Sequence, residues 1–168
     1  MHFPSFRRPL LALSISALLA TAAHAADQVK VGMLSTLSGP GAGLGIDIRD
    51  GFNLALKHMN GKLGNLPAEV IVADDQQNPE VAKQTAERLL KRDKVDFMTG
   101  TVFSNVMLAV GTPAFQNKTF FISPNAGPSQ YAGAQCNPYF FNVSQQNDAL
   151  HEAAGKTMQD KGFKRVAL

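Results

Sequence analysis

The chain has 168 residues with sixteen Lys plus Arg against thirteen Asp plus Glu, a single cysteine and no tryptophan. Two of the basic residues, Arg7 and Arg8, precede residue 26, so the remainder carries fourteen against thirteen. Scattered positives at near-neutral balance are not a nucleic-acid footprint. Cys136 cannot pair within the chain, which excludes a disulfide scaffold.

Residues 1–25 have the three parts of a secretory signal: basic Arg7 and Arg8, an apolar run from Leu10 to Ala23, and Ala23-His24-Ala25 ahead of a polar start. Cleavage is expected after Ala25. The apolar run is too short for a membrane span, which needs about 20 residues, and no cysteine follows it to carry a lipid. The expected product is a soluble periplasmic protein, long enough for one domain with a proper core.

Val29 to Thr36 reads as a buried strand running into a glycine-rich loop, Ser38 to Gly45, and a helix in which Ile48, Phe52, Ala55, Leu56 and Met59 recur at helical spacing. Asn60-Gly61 ends that helix. Pro67 to Asp74 is a second strand. Asn78-Pro79-Glu80 supplies an N-cap, a proline at the first helical position and an early acid for the next helix. Val95 to Thr99 is a third strand, Ser104 to Gln116 a third helix that Pro113 is expected to kink or shorten, and Thr119 to Ile122 a fourth strand. An extended "YFFNVS" segment and a helix from Asn147 to Lys161 follow, and Lys164 to Leu168 opens as another buried strand. The last helix and strand have no partners to bury their apolar sides, so the sequence is expected to be the first part of a longer protein.

Strand and helix alternate without hairpins, which predicts an α/β fold: an open parallel sheet flanked by helices on both faces. In such a sheet ligands bind outside the carboxyl ends of the strands, where helix N-termini point free N–H groups. Three loops made of small residues lie there: Ser38–Gly45, Gly100–Asn105 and Ser123–Ser129. Small residues let backbone donors approach a ligand, so these loops read as walls of a polar site.

Other chemistries find little support. The glycine-rich loop does not match G-x-G-x-x-G, because Leu44 and Ile46 fall where the last glycine could be. His58 and His151 lie on separate helices, so no metal is expected. Asp74-Asp75 is explained by a solvated loop. Ser104 has no base for a hydrolase triad and, taken alone, reads as a helix cap. No cofactor or catalytic residue is assigned.

Four motifs in order, "VKVGMLSTLSGPGAGLGIDIRDGFNLAL", "DDQQNPEVA", "GTVFS" and "ISPNAGPS", resemble the type I periplasmic binding proteins of the leucine/isoleucine/valine-binding kind, receptors of ATP-driven importers. The resemblance implies two lobes that close on a small carboxylate, a membrane permease as partner, and a monomer. It divides the chain into lobe 1 (26–140), a first inter-lobe crossing (141–146) and the start of lobe 2 (147–168). It also implies that Ser104 and the groups at Asn125, Ala126 and Gly127 hold the carboxylate, with Leu44 where many amino-acid-binding members carry a bulky aromatic residue. The first-lobe disulfide of those members is absent, its positions being held by Gln77 and Phe103. The segment "NAGPSQYAGAQCNPYFF" with "QND" looks more like a branch that takes aromatic carboxylates, so the ligand is expected to be a branched-chain amino acid or an aromatic acid. A ligand-sensing domain of the same fold, coupled to a receptor or regulator, and a Rossmann-like enzyme are the alternatives.

Overall fold

The computed structural model describes residues 27–165. The expected export signal and its cleavage site, and the end of the expected strand Lys164–Leu168, lie outside the described residues.

Six strands form one sheet in the order β2-β3-β1-β4-β5-β6. The strands are β1 (Val29–Ser35), β2 (Lys62–Leu63), β3 (Leu66–Asp74), β4 (Phe97–Thr99), β5 (Phe120–Ser123) and β6 (Phe140–Asn142). The helices are α1 (Ala42–His58), α2 (Pro79–Arg88), α3 (Ser104–Gln116) and α4 (Asn147–Asp160). β1 pairs in parallel with β3 and β4, β4 with β5, and β5 with β6. This is the expected α/β sheet, with one correction. β2 pairs antiparallel with β3 through Gly64-Asn65, a hairpin in which both turn residues have positive φ, 56° and 69°. Gly and Asn are the residues that adopt this conformation most readily, so the turn chemistry was present in the sequence.

The main core lies between the sheet and the α2–α3 layer, where Leu34, Met98 and Phe121 meet Ala82, Ala86, Leu89, Val106, Met107 and Val110. Strand alternation turns Val31, Met33 and Ser35 to the other face, where the Ser35 hydroxyl donates to Gly45 O of α1 at 3.4 Å. On that face Phe120 and Phe141 are 46% and 52% exposed, with ring centroids 5.8 Å apart. The expectation of a sheet covered on both faces therefore holds only in part.

Sequence cues place several helix ends well. Asn78 Oδ1 accepts from Glu80 N at 2.9 Å and Val81 N at 3.2 Å, with Pro79 in the first turn. Lys57 and His58 lie in the last turn of α1, where cations suit the helix dipole. α3 runs through Pro113 to Gln116, so the proline does not end it. α2 continues into a π-helical turn, Leu89–Asp93, closed by Lys94 at φ 54°.

α1 starts earlier than its apolar spacing suggests, at Ala42, so Gly43, Leu44 and Gly45 belong to the helix rather than to a loop. The reason is tertiary. A Cβ on Gly45 would lie 1.9 Å from Thr36 O, so only glycine lets the start of α1 rest on the end of β1.

Candidate functional site

The carboxyl ends of β1, β3, β4 and β5 carry the expected loops, and hydrogen bonds lace them together. After β1 and β3 the carboxylates do the lacing. Asp74 Oδ1 accepts from Leu37 N at 2.8 Å and Gln76 N at 2.9 Å. Asp75 Oδ1 accepts from Thr36 Oγ1 at 2.6 Å and Gln77 N at 2.8 Å. Gln76 and Gln77 both have positive φ, and these bonds offset the cost of that backbone.

Asp75 is fully buried, which corrects the reading of this pair as a solvated loop. Its Oδ2 has no partner among the described residues. Burial pushes its carboxyl above the ordinary range, against the bonds from Thr36 and Gln77 and with the Asp74 charge adding to the rise. For Asp74 partial desolvation pulls upward, but the bonds from Ser38, Leu37 and Gln76 outweigh it and hold the carboxyl low. Two adjacent carboxyls are thus driven in opposite directions by their surroundings.

The loops after β4 and β5 form the second group. Asn125 Nδ2 donates to Val102 O at 2.7 Å, Ala126 N to Thr101 O at 3.4 Å, and the Ser123 hydroxyl to Ala126 O at 2.6 Å. Ala126 and Gly127 are buried and Asn125 is exposed. The Ala126 N–H is therefore turned toward Thr101, while no acceptor is found for the Gly127 N–H among the described residues.

Ser104 opens α3 and does not cap it; Phe103 holds the cap position without a side-chain bond. The first intrahelical bond of this turn is Met107 N to Phe103 O. The N–H groups of Ser104, Asn105 and Val106 come before it and lack intrahelical partners. The half-buried Ser104 hydroxyl accepts from Asn147 Nδ2 at 2.8 Å, and Asn147 N donates to Gly127 O at 2.9 Å. One residue at the start of α4 thus joins Ser104 and Gly127, which were expected to share a site.

Leu44 does not join this group directly. It lies in the first turn of α1, 54% exposed. The link from this region runs through Gly41, where a Cβ would lie 2.6 Å from the Phe103 ring and 3.0 Å from Gln77 Oε1. Gln77 and Phe103, the positions implied for a disulfide elsewhere in the family, thus both reach the same point.

Sequence reasoning passed over Thr101, read Asp75 as part of a solvated loop, and gave Asn147 no part in the site. Thr101 Oγ1, in the loop after β4, is fully buried and unpartnered among the described residues. The burial of Asp75 depends on Thr36, and the placing of Asn147 on Ser104; neither partner is near in sequence. Beside the group, a cavity of about 280 Å³ is bordered by Gly127, Pro128, Tyr131, Phe140, Asn142 and Gln146. Burial raises the Tyr131 hydroxyl to about 12, so it stays a neutral donor.

A set of donors, with no acid–base pair among them, fits the capture of an anion. A family model described as "Periplasmic binding protein" matches residues 28–168. The chain belongs to this family. Among curated relatives, "Leu/Ile/Val-binding protein homolog 6" of Brucella abortus is 29% identical over 158 residues, covering 94% of this chain and 40% of that protein. "Leu/Ile/Val-binding protein BraC3" of Rhizobium johnstonii is 29% identical over 160 residues, covering 94% and 43%. Among solved structures, a solute-binding protein of an ABC transporter from R. palustris in complex with benzoate superposes with a TM-score of 0.77 at 33% identity, covering 80% of this chain and 38% of that one. Another, from Rhodopseudomonas palustris BisB5 in complex with 3,4-dihydroxybenzoic acid, gives 0.75 at 28% identity, covering 82% and 38%. The chain spans about two fifths of the length of these relatives. No helix among the described residues is long and apolar enough to cross a membrane.

Proposed function

We propose that this periplasmic binding protein is the extracytoplasmic receptor of an ATP-driven importer and captures a small carboxylate between two lobes. Lobe 1 is residues 26–140, the first crossing 141–146 and the start of the second lobe 147–168. The observation that carries the reading is the donor set at one sheet edge: the Ser104 hydroxyl, the free N–H groups of the first turn of α3, and the Gly127 N–H. Such a set is complementary to a carboxylate, whose charge is favoured at a helix N-terminus. Receptor action suits it better than enzymology, because no general base faces Ser104 among the described residues.

Of the two ligand classes, aromatic acids are supported by the complexes of the two R. palustris neighbours, and branched-chain amino acids by the names of the curated relatives. We favour the aromatic acids because two neighbours that hold aromatic carboxylates superpose with TM-scores of 0.77 and 0.75 over about four fifths of this chain. Residues 1–25 would deliver the chain to the periplasm, where a membrane permease would receive the loaded, monomeric receptor. Leu44, at the exposed start of α1, would border the ligand's side chain.

The test is calorimetry on the full-length mature protein with benzoate and with L-leucine. Ser104→Ala should weaken binding of the accepted ligand about tenfold or more, through loss of one charge-assisted bond. Equal affinities for the two proteins would remove Ser104 from the site. Tighter binding of L-leucine than of benzoate would select the amino-acid class.

A further inference from the structure

We propose that Asn147 is a positioning residue that occupies a lone pair of the Ser104 hydroxyl and so leaves its proton for the ligand. The inference rests on the reading that Ser104 grips a carboxylate. A serine hydroxyl has one proton and two lone pairs, and its direction is set by whichever partner is held more firmly. Asn147 is held firmly. Its N–H donates to Gly127 O at 2.9 Å, and its side-chain amide donates to Ser104 Oγ at 2.8 Å. The preceding residues are seated on the same loop. A Cβ on Gly127 would lie 2.2 Å from Gln145 O, Asn142 Nδ2 donates to Gln145 O at 3.1 Å, and Gln146 Oε1 accepts from Ala149 N at 2.9 Å to start α4.

With one lone pair of Ser104 occupied, its proton has no acceptor among the described residues and is directed outward. A hydroxyl that accepts one hydrogen bond also becomes a better donor in the next. Ser104 would then match the neighbouring N–H groups in sign, all of them donors. With the amide reversed, Asn147 Oδ1 would take the Ser104 proton and leave a lone pair facing the carboxylate. The orientation of one amide thus decides whether Ser104 adds to the neighbouring donors or opposes them. Because Asn147 opens the proposed second lobe, the ligand-gripping hydroxyl is set by a residue across the crossing.

The experiment measures benzoate affinity by calorimetry on the full-length mature protein with Asn147→Leu and Asn147→Asp, each in the Ser104 and the Ser104→Ala backgrounds. Asn147→Leu removes the donor and should weaken binding about threefold; Asn147→Asp reverses the polarity and should weaken it at least about tenfold. With Ser104→Ala the leucine variant should have no further effect, and the aspartate variant should cost several-fold less than before, leaving only its charge. Losses of the same size in both backgrounds, or an Asn147→Leu protein that binds as wild type, would overturn the inference while leaving the role of Ser104 intact. Wild-type binding by Ser104→Ala would remove the site reading and this inference with it. Should a variant fail to fold, the Asn147 side-chain amide in the ligand-free wild-type protein gives a second measurement. Its protons should exchange slowly by NMR, and free exchange at wild-type Ser104 would overturn the proposal.

Discussion

Three glycines of α1 offer a controlled comparison, since the same substitution in the same helix should change stability in opposite directions. Gly45 is the one buried residue of α1 among those described. A Cβ there would lie 1.9 Å from Thr36 O, 2.6 Å from Thr36 C and 2.9 Å from Ser35 Oγ. Two of these atoms are backbone of Thr36, just past β1, where the chain is held to β3 by Asp75 N donating to Ser35 O at 3.0 Å and by the Thr36 hydroxyl donating to Asp75 Oδ1 at 2.6 Å. α1 would have to lift by more than an ångström, and overpacking of this kind costs about 1–3 kcal/mol, with rigid surroundings at the upper end. Replacing a helical glycine by alanine returns up to about 1 kcal/mol. The net expectation for Gly45→Ala is a loss of about 2 kcal/mol, or roughly 8 °C in Tm for a domain of this size. Gly51 has nothing within 4 Å of its would-be Cβ, so Gly51→Ala keeps only the propensity gain and should raise Tm by about 2–4 °C. Gly43, also open but in the first turn, should gain less. Thermal unfolding of residues 26–168 followed by circular dichroism reads all three. A Gly45→Ala protein as stable as wild type would refute the close approach of α1 to β1.

Asp75 should make stability fall as pH rises. Its folded pKa is raised, so the native state holds the proton more tightly; the contribution is full below the ordinary value of 3.8 and is lost as pH climbs through the folded value. Asp74 is shifted downward and acts in the opposite sense, its contribution present above 3.8 and lost as pH falls through its folded value, so the two windows do not overlap. Urea denaturation of Asp75→Asn between pH 4 and pH 7 should give a flatter stability profile than wild type, and an unchanged slope would contradict the assignment. Limited proteolysis should cut α4 before any other helix, because none of its residues is buried and Leu150 is 55% exposed; cleavage first within α2 or α3 would contradict this.

The fold was legible in the sequence where the deciding forces are local or periodic. Apolar runs marked β1, β3, β4 and β5. The Asn78 cap marked α2, because the cap, the proline and the acid act within one turn. The β2–β3 hairpin was missed although Gly64-Asn65 carries its turn chemistry, because the strand before it is only two residues long and shows no alternation. The start of α1 was missed for a different reason: glycines read as a loop when what they permit is contact with Thr36. The loops that carry Ser104 and Asn125–Gly127 could be placed at the carboxyl ends of the strands from the alternation of strand and helix, and the resemblance singled out these residues within them. The bonds that orient them could not, since Asn147 lies 43 residues from Ser104 and Thr36 lies 39 from Asp75, and no local pattern reports a pairing of that kind.

The small residues of the three loops carry a second lesson about how such a site is built. Read as sequence, they suggest space for a ligand. In the structure the space at several of them is already taken by the protein itself. Gly41 accommodates the Phe103 ring, Gly45 the Thr36 carbonyl, and Gly127 the Gln145 carbonyl. Gly100, at φ 105°, passes so close to β1 that a Cβ there would lie 2.9 Å from Leu34 O, in a conformation that a side chain would disfavour. These contacts bring the ends of β1, β4 and β5 close enough to share hydrogen bonds, and they consume some donors, including the Ala126 N–H. What is left for the proposed anion is a narrower set than the loop composition suggests: the first turn of α3, the Ser104 hydroxyl and the Gly127 N–H. Because the glycines hold this set in place through close contact, a substitution at Gly127 would move Gln145 and Asn147 with it and would alter Ser104 as well as the Gly127 N–H itself. Specificity at such an edge is therefore set as much by what glycine lets the chain do to itself as by what the loops present to the ligand.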